Sequence, residues 1–414
     1  MITVSCKLKS LASLFNKPLY LVGGNVRNAL LCLPLSDIDI ASSVLAEDVI
    51  KLLEGTEYKV VSEYKRTGTL KIKCGNEDYE YSTFRTDSYT KGHTPDSVLF
   101  TEDIKEDAKR RDFTVNAIYY DIIKGQTADP LGGIADLKNR VLRAADNPQK
   151  VFSEDGLRLL RMVRFSSELG FAIDRATFEA AKNNAGLLKD ISKERITEEL
   201  KKIILSDAKY PVLTSASYPH FKGIQALNAA GLLQIIYPLF AADEKGTTDK
   251  VLNVFRASEP AIRLVSLFYL FISGFSEYNP EKYLALSNSE KRDIYGVSEV
   301  FSRIGSGCSD KLYVAKNAAH FEKALMLLKA EKEAGYNNKY NGVNKLYSDM
   351  RAEKVPFSIS GLNIDGNDIK ELGVPEKQIS KVLNKLFEIC VSSPGFNNKR
   401  KLLEIILRDI LPIL

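Results

Sequence analysis

Asp37 and Asp39 stand one residue apart in the run Leu35-Ser36-Asp37-Ile38-Asp39-Ile40, shortly after a Gly23-Gly24-Asn25-Val26-Arg27 turn. In an extended strand successive side chains alternate faces, so the two carboxylates share one side while Ile38 and Ile40 take the other, core-facing side. Two carboxylates on one face repel unless a cation sits between them. Hard oxygen donors so placed suit Mg²⁺, which takes one or two carboxylates and completes its shell with water and substrate phosphates. An isolated Asp-x-Asp reads more readily as a solvent-facing acidic edge strand, and it is the glycine pair upstream that shifts the reading toward a metal site. Gly23 and Gly24 end an apolar strand and precede a helix expected over Val26 to Cys32, so backbone N–H groups can approach a phosphate without a Cβ in the way. Arg27 adds a planar cation for a triphosphate or ribose oxygen. The chemistry is phosphoryl or nucleotidyl transfer.

Such a reaction calls for a third acid that helps activate the attacking hydroxyl. Glu80, in a strand-like Glu-Tyr-Ser-Thr-Phe-Arg run, is the best candidate, with Glu77 and Asp78 as competitors. The stretch Arg110-Arg111-Asp112-Phe113-Thr114-Val115-Asn116-Ala117 places two guanidinium groups before an acid and an amide. Neighbouring helical residues point about 100° apart. One arginine can then reach a triphosphate while the other pairs with Glu106 or Asp107, and Arg111 is the one assigned to phosphate.

The segment Glu154-Asp155-Gly156-Leu157-Arg158-Leu159-Leu160-Arg161-Met162-Val163-Arg164-Phe165 repeats arginine every third residue. On a helix these fan along one flank while Leu157, Leu160 and Phe165 stay buried. Asp155 and Arg158 could simply form a helical ion pair. The sharper reading is base selection: a carboxylate accepts from an exocyclic amine and an arginine donates to ring acceptors, a combination that matches cytosine and adenine and mismatches uracil and guanine.

These residues need a scaffold. With 414 residues and 44% hydrophobic content the chain calls for more than one domain. Strand-like runs occur at Pro18 to Val22, Ile38 to Ala41, Leu70 to Lys73 and Tyr79 to Phe84, with helices expected over Ala46 to Leu53 and near Val26. Beyond Asn147-Pro148 the pattern turns helical, as in Glu154 to Leu169, Arg175 to Asn183, Glu194 to Leu205 and Lys377 to Val391. Breaks fall near Tyr210-Pro211, Lys245-Gly246-Thr247 and Ala334 to Tyr347. The fold class is therefore α+β: a head with a small mixed sheet and helices over 1–148, then an all-α neck (149–208), body (209–345) and tail (346–414), elongated and multi-domain.

The five cysteines, Cys6, Cys32, Cys74, Cys308 and Cys390, have no Cys-x-x-Cys spacing, which argues against a disulfide framework or structural zinc and reads as buried small hydrophobes. Three scattered histidines give no histidine metal centre, and a net charge of +5 permits a nucleic-acid partner without demanding one. Without a leader or an apolar run of spanning length the expected location is cytoplasmic.

In order and spacing these motifs resemble the class II tRNA nucleotidyltransferases, or CCA-adding enzymes, of the poly(A) polymerase and DNA polymerase β-like nucleotidyltransferase superfamily. Leu21 to Ser43 is similar to the family's Gly-Gly-x-Val-Arg through Asp-x-Asp motif, Arg110 to Ala117 to its Arg-Arg-Asp motif, and Glu154 to Phe165 to its Glu-Asp-x-x-Arg helix. Ser192 to Leu205 resembles the neck helix that follows, and Ile359 to Asp365 with Lys381 to Asn397 resembles the tail that meets the tRNA elbow.

The resemblance implies template-independent addition of C, C and A to the tRNA 3′ end from CTP and ATP. Asp37 and Asp39 would hold Mg²⁺, with Glu80 the third catalytic acid. Gly23, Gly24 and Arg27 would take the triphosphate, and Asp155 and Arg158 the base, with Arg111, Asp112, Asn116, Arg161 and Arg164 completing the nucleotide site. Asn28, Cys32, Thr67 and His93 depart from the family pattern, which usually has Asp, Gly, His and Arg at these places. The loop Thr86 to Asp107 has full length, whereas resembling enzymes that add only CC tend to have it shortened or altered. A partial CC- or A-adding enzyme or a poly(A) polymerase of the same superfamily is the alternative, and a non-catalytic RNA-binding protein a more distant one.

Overall fold

Thr69–Cys74 and Glu77–Thr83 alternate in the manner of half-buried strands: Leu70, Ile72, Tyr79 and Tyr81 face inward, while Lys71, Lys73, Asp78 and Glu80 are exposed. The computed structural model describes residues 2–35, 38–88, 97–214, 218–241, 247–272, 279–307, 309–336 and 339–413. The strands are β1 (Tyr20–Val22), β2 (Ile38–Ser42), β3 (Lys59–Tyr64), β4 (Thr69–Cys74), β5 (Glu77–Thr83), β6 (Arg85–Ser88), β7 (Ser97–Phe100), β8 (Tyr119–Asp121), β9 (Gln126–Ala128), β10 (Val141–Leu142) and β11 (Ala172–Ile173). One mixed sheet has the order β3-β4-β5-β2-β1-β8-β9, with β2 and β5 its parallel pair. β6 pairs with β7, and β10 pairs in parallel with β11, a small exception to the all-helical expectation beyond Asn147.

β2 lies in the middle of the sheet because Ile40 and Ala41 are apolar and fully buried. The register sets Asp39 opposite Glu80 of β5, so the two carboxylates share one face of adjacent strands. Val22, Ala41, Phe84, Ala117 and Tyr119 pack beneath this centre.

The helices of this part are α1 (Cys6–Ser13), α2 (Gly24–Leu30), α3 (Ala46–Leu53), α4 (Ile104–Lys109), α5 (Gly133–Asn139), α6 (Pro148–Glu154), α7 (Leu157–Leu169), α8 (Arg175–Asn183), α9 (Lys193–Ile204) and α10 (Ser206–Lys209). α6 starts where Asn147 accepts from the N–H groups of Gln149 and Lys150, with Pro148 at the first helical position. The helix expected over Glu154 to Leu169 is broken. Asp155 is extended (φ −148°, ψ 105°) and its Oδ1 accepts from the Leu157 N–H at 3.0 Å, so a new helix begins there. A Cβ on Gly156 would lie 3.0 Å from the Leu187 carbonyl, so glycine lets the break pack tightly. α7 ends at Gly170 with φ +67°.

The chain divides into two compact units, Met1–Ala242 with Tyr283–Ala285, and Asp243–Lys282 with Leu286–Leu414. The first holds the sheet and α1 to α10. The second is helical, with Asn288–Gly305 packed on Ala318–Glu333 around Val297, Phe321 and Leu327. Within it, Tyr340–Ala352 is a helix although the Gly, Asn and Tyr cluster suggested a break. Burial of Tyr347 and Met350 outweighs weak propensity. Cys74 and Cys390 are buried as expected, but Cys6 and Cys32 are exposed, Cys6 at a helix start and Cys32 in a turn with φ +54°. Residues 242–246 and Cys308 lie outside the described residues.

Candidate nucleotide site

A cavity of about 600 Å³ opens within the first unit, and most of the residues singled out above line it. From the glycine turn and β2 come Gly23, Gly24, Arg27 and Asp39; from the segment after α4 come Arg111, Asp112 and Asn116; from α7 and its start come Asp155, Arg158, Arg161 and Arg164. Residues more than a hundred positions apart in sequence thus face one space. Asp37 lies outside the described residues, as does His93.

Gly23 has φ +73°, ψ −138°, and an added Cβ would come within 3.3 Å of Asp39 Oδ2. The glycine therefore allows both the turn and the close approach of the carboxylate. Glu80 is on the same face as Asp39 but is exposed and does not line the cavity. Its competitors are occupied elsewhere: Glu77 accepts from Ser5 and Tyr79, and Asp78 pairs with Lys73. Among the described residues no group of three or more His, Cys, Asp or Glu side chains is placed to hold a metal. The Asp39 carboxylate at the cavity wall is a hard oxygen donor of the kind a divalent cation takes.

Arg27 is buried and donates to Asn116 Oδ1 at 2.7 Å and to Asn28 Oδ1 at 2.9 and 3.1 Å. Asn116 Nδ2 donates in turn to Asp112 Oδ1 at 3.0 Å, and Asp112 Oδ2 receives Arg161. Burial alone would raise the Asp112 carboxyl, but Arg161 and the Asn116 bond outweigh it and hold the value down to about 2.

Arg110 and Arg111 do not divide as the helical spacing suggested. α4 ends at Lys109, so the two are not neighbours on a helix, and both donate to Asp107, Arg110 at 2.8 Å and Arg111 at 3.1 Å. Asp107 also accepts from Tyr119, whose ring lies under Arg111. Burial opposes ionisation of Asp107, yet the two arginines and Tyr119 lower its carboxyl to about 2.

Arg158 pairs with Glu154 at 3.0 Å rather than with Asp155, because the break in the helix turns Asp155 away. It also donates to the Val151 and Arg110 carbonyls. Among the described residues three of five guanidinium N–H donors are thus used, and Nε–H and one Nη2–H remain. Asp155 Oδ2 is 3.9 Å from Arg195.

Phe165 is the residue whose role sequence reasoning missed. Its buried ring carries Arg27 at 5.0 Å, Arg161 at 5.2 Å and Arg164 at 4.4 Å, so one aromatic ring orders three guanidinium groups. Glu168, Lys202, Lys209 and Tyr210 also line the cavity unannounced. A heptad step from Arg161 to Glu168 on α7 was the available signal for one of them. Burial raises the Glu168 carboxyl against the pull of Arg164, Arg27 and Lys209.

Two family models match the chain, one described as the Poly A polymerase head domain over residues 19–143 and one as the probable RNA and SrmB-binding site of polymerase A over residues 170–244. A CCA-adding enzyme of Ligilactobacillus salivarius is 33% identical over 394 residues, 93% of this chain and 91% of that protein. A CCA-adding enzyme of Lactobacillus helveticus is 45% identical over 185 residues, and that match spans 44% of this chain and 45% of the relative. Among solved structures, the Bacillus stearothermophilus CCA-adding enzyme in complex with CTP superposes with a TM-score of 0.69 at 26% identity, covering 98% of this chain and 97% of that one.

Proposed function

Because this chain belongs to the family of CCA-adding tRNA nucleotidyltransferases, we propose that it adds C, C and A to the 3′ end of tRNA from CTP and ATP, without a nucleic-acid template. The observation that carries this reading is the single cavity faced by Asp39, Gly23, Gly24 and Arg27 and by Asp155 and Arg158, a joining site and a choosing site in one space.

Gly23, Gly24 and Arg27 take the triphosphate, with Arg111, Arg161 and Arg164 adding positive charge around it. A divalent cation, assigned as Mg²⁺ and held by Asp37 and Asp39, supplies charge stabilisation at the α-phosphate when bound. Glu80, which shares a sheet face with Asp39 on the next strand, is the further carboxylate assigned to the attacking 3′-hydroxyl. The Asp155 carboxylate accepts from the exocyclic amine of cytosine or adenine, and the two remaining N–H groups of Arg158 donate to the ring. Glu154 and the Val151 and Arg110 carbonyls fix that guanidinium before any nucleotide arrives, so selection costs little reorganisation. Asp112 and Asn116 act behind this surface, holding Arg161 and Arg27.

We assign catalysis to 1–148 with the neck 149–208, and tRNA contact to the body 209–345 and tail 346–414. No helix among the described residues is long and apolar enough to cross a membrane. The cytoplasm is the assigned location.

The test supplies Mg²⁺ and single nucleotides with tRNAs ending before CCA, after C, or after CC. CTP should extend the first two and ATP the third, with UTP and GTP poor. Long A-tails on unstructured RNA would instead identify a poly(A) polymerase, and failure of the third tRNA to accept A would identify a CC-adding enzyme.

A further inference from the structure

The carboxamide of Asn28 is fully buried and makes four hydrogen bonds. Its Oδ1 accepts from Arg27 Nε and Nη2 at 3.1 and 2.9 Å. Its Nδ2 donates to the Pro34 carbonyl and to the Tyr210 hydroxyl, each at 2.9 Å. The partners settle which atom is which, since a guanidinium only donates and a carbonyl only accepts. A carboxylate here could not reproduce the arrangement, because its second oxygen would meet the Pro34 carbonyl.

Arg27 also donates to an amide, Asn116 Oδ1 at 2.7 Å, and has the Tyr210 hydroxyl as a further side-chain partner. Among the described residues its hydrogen bonds therefore end on neutral oxygens, and the carboxylates of Asp112 and Glu168 act on it only through space. A buried guanidinium bonded in this way keeps its full charge for an anion that enters the cavity. Pro34 begins the short segment that leads into β2 and Asp39, and Tyr210 follows α10 on the cavity wall. One amide thus joins the phosphate-binding turn, the approach to β2 and the end of α10.

We propose that Asn28 is a positioning residue for the polyphosphate of the incoming nucleotide: it fixes the Arg27 guanidinium without cancelling its charge and locks it to the segment before β2 and to Tyr210. The proposal rests on the reading of Arg27 as a triphosphate-binding residue. It assigns Asn28 to affinity for the phosphates, not to choice of base.

Dissociation constants for CTP, ATP, inorganic pyrophosphate and cytidine are measured on the full chain, on Asn28→Asp, on Arg27→Ala and on the double variant, with melting curves to establish folding. Asn28→Asp should bind CTP, ATP and pyrophosphate roughly tenfold more weakly, the loss expected when one charge-assisted contact is neutralised. Cytidine should bind as before, and Asn28→Asp should add nothing further once Arg27 is alanine. A folded Asn28→Asp that binds pyrophosphate like the parent overturns the role of Asn28, as does an equal loss in the Arg27→Ala background. If Arg27→Ala itself leaves CTP and pyrophosphate binding unchanged, the reading of Arg27 fails instead. Should Asn28→Asp not fold, Asn28→Ala carries the same comparison, since it deletes the acceptor that orients Arg27.

Discussion

Arg161 donates from Nε at 2.9 Å and from Nη2 at 2.5 Å to a single oxygen, Oδ2, of Asp112. The other oxygen accepts from Asn116, and Asn116 accepts from Arg27, so a continuous chain of hydrogen bonds links α7 to the glycine turn. Replacing Asp112 by Ala leaves Arg161 without its carboxylate partner and Asn116, which holds Arg27, without its own acceptor. The variant should lose about 3 kcal/mol of stability. Its kcat/KM for both nucleotides should fall by about tenfold or more. Calorimetry and steady-state kinetics check the two effects separately.

Acid should destabilise the first unit in a defined window. Asp107 and Asp112 are both lowered on folding from 3.8 to about 2. A depressed carboxyl contributes stability that is complete above its unfolded value and lost as pH falls through its folded value. Stability should therefore hold level down to about pH 5 and drop between about pH 4 and 2, by roughly 2 kcal/mol for each group. Denaturant melts across this range should show a smaller drop in Asp107→Asn, and an equal drop would exclude Asp107 as a contributor.

Gly23→Ala should separate folding from catalysis. The turn at φ +73° and the 3.3 Å approach to Asp39 both resist a methyl group. Strain of about 1–3 kcal/mol is expected, within reach of a folded protein. Displacement of the Asp39 carboxylate should lower kcat about a hundredfold. A variant with parental kcat would show that this approach does not matter.

Phe165→Leu keeps apolar volume while removing the ring that carries Arg27, Arg161 and Arg164. KM for CTP and ATP should rise several-fold, on the order of the 0.5–2 kcal/mol that such contacts supply. Thermal stability should change by about 1 kcal/mol.

Much of this site was legible because its chemistry is concentrated in short motifs. Period-two alternation marked β4 and β5, and helical spacing marked α3 and α8 with the bounds observed. What escaped was tertiary. The break at Asp155 depends on Gly156 meeting the Leu187 carbonyl, a contact no local pattern announces, and it transfers the Arg158 ion pair to Glu154. Phe165 looked like core because a ring under three guanidinium groups has the same apolar spacing as one under leucines. Lys209 and Tyr210 reach the cavity from elements that carry no motif, and Tyr210-Pro211 read only as a helix boundary.

In the proposed reaction Asp39 serves the joining of nucleotides while Asp155 and Arg158 choose them. The most direct measurement is single-nucleotide incorporation on a tRNA lacking CCA, with CTP and UTP supplied separately to the parent, to Asp39→Ala and to Arg158→Ala. Asp39→Ala should incorporate neither nucleotide while still binding the tRNA, and Arg158→Ala should still incorporate but with its preference for CTP over UTP largely lost. Incorporation by Asp39→Ala, or undiminished preference for CTP in Arg158→Ala, would overturn that division of labour.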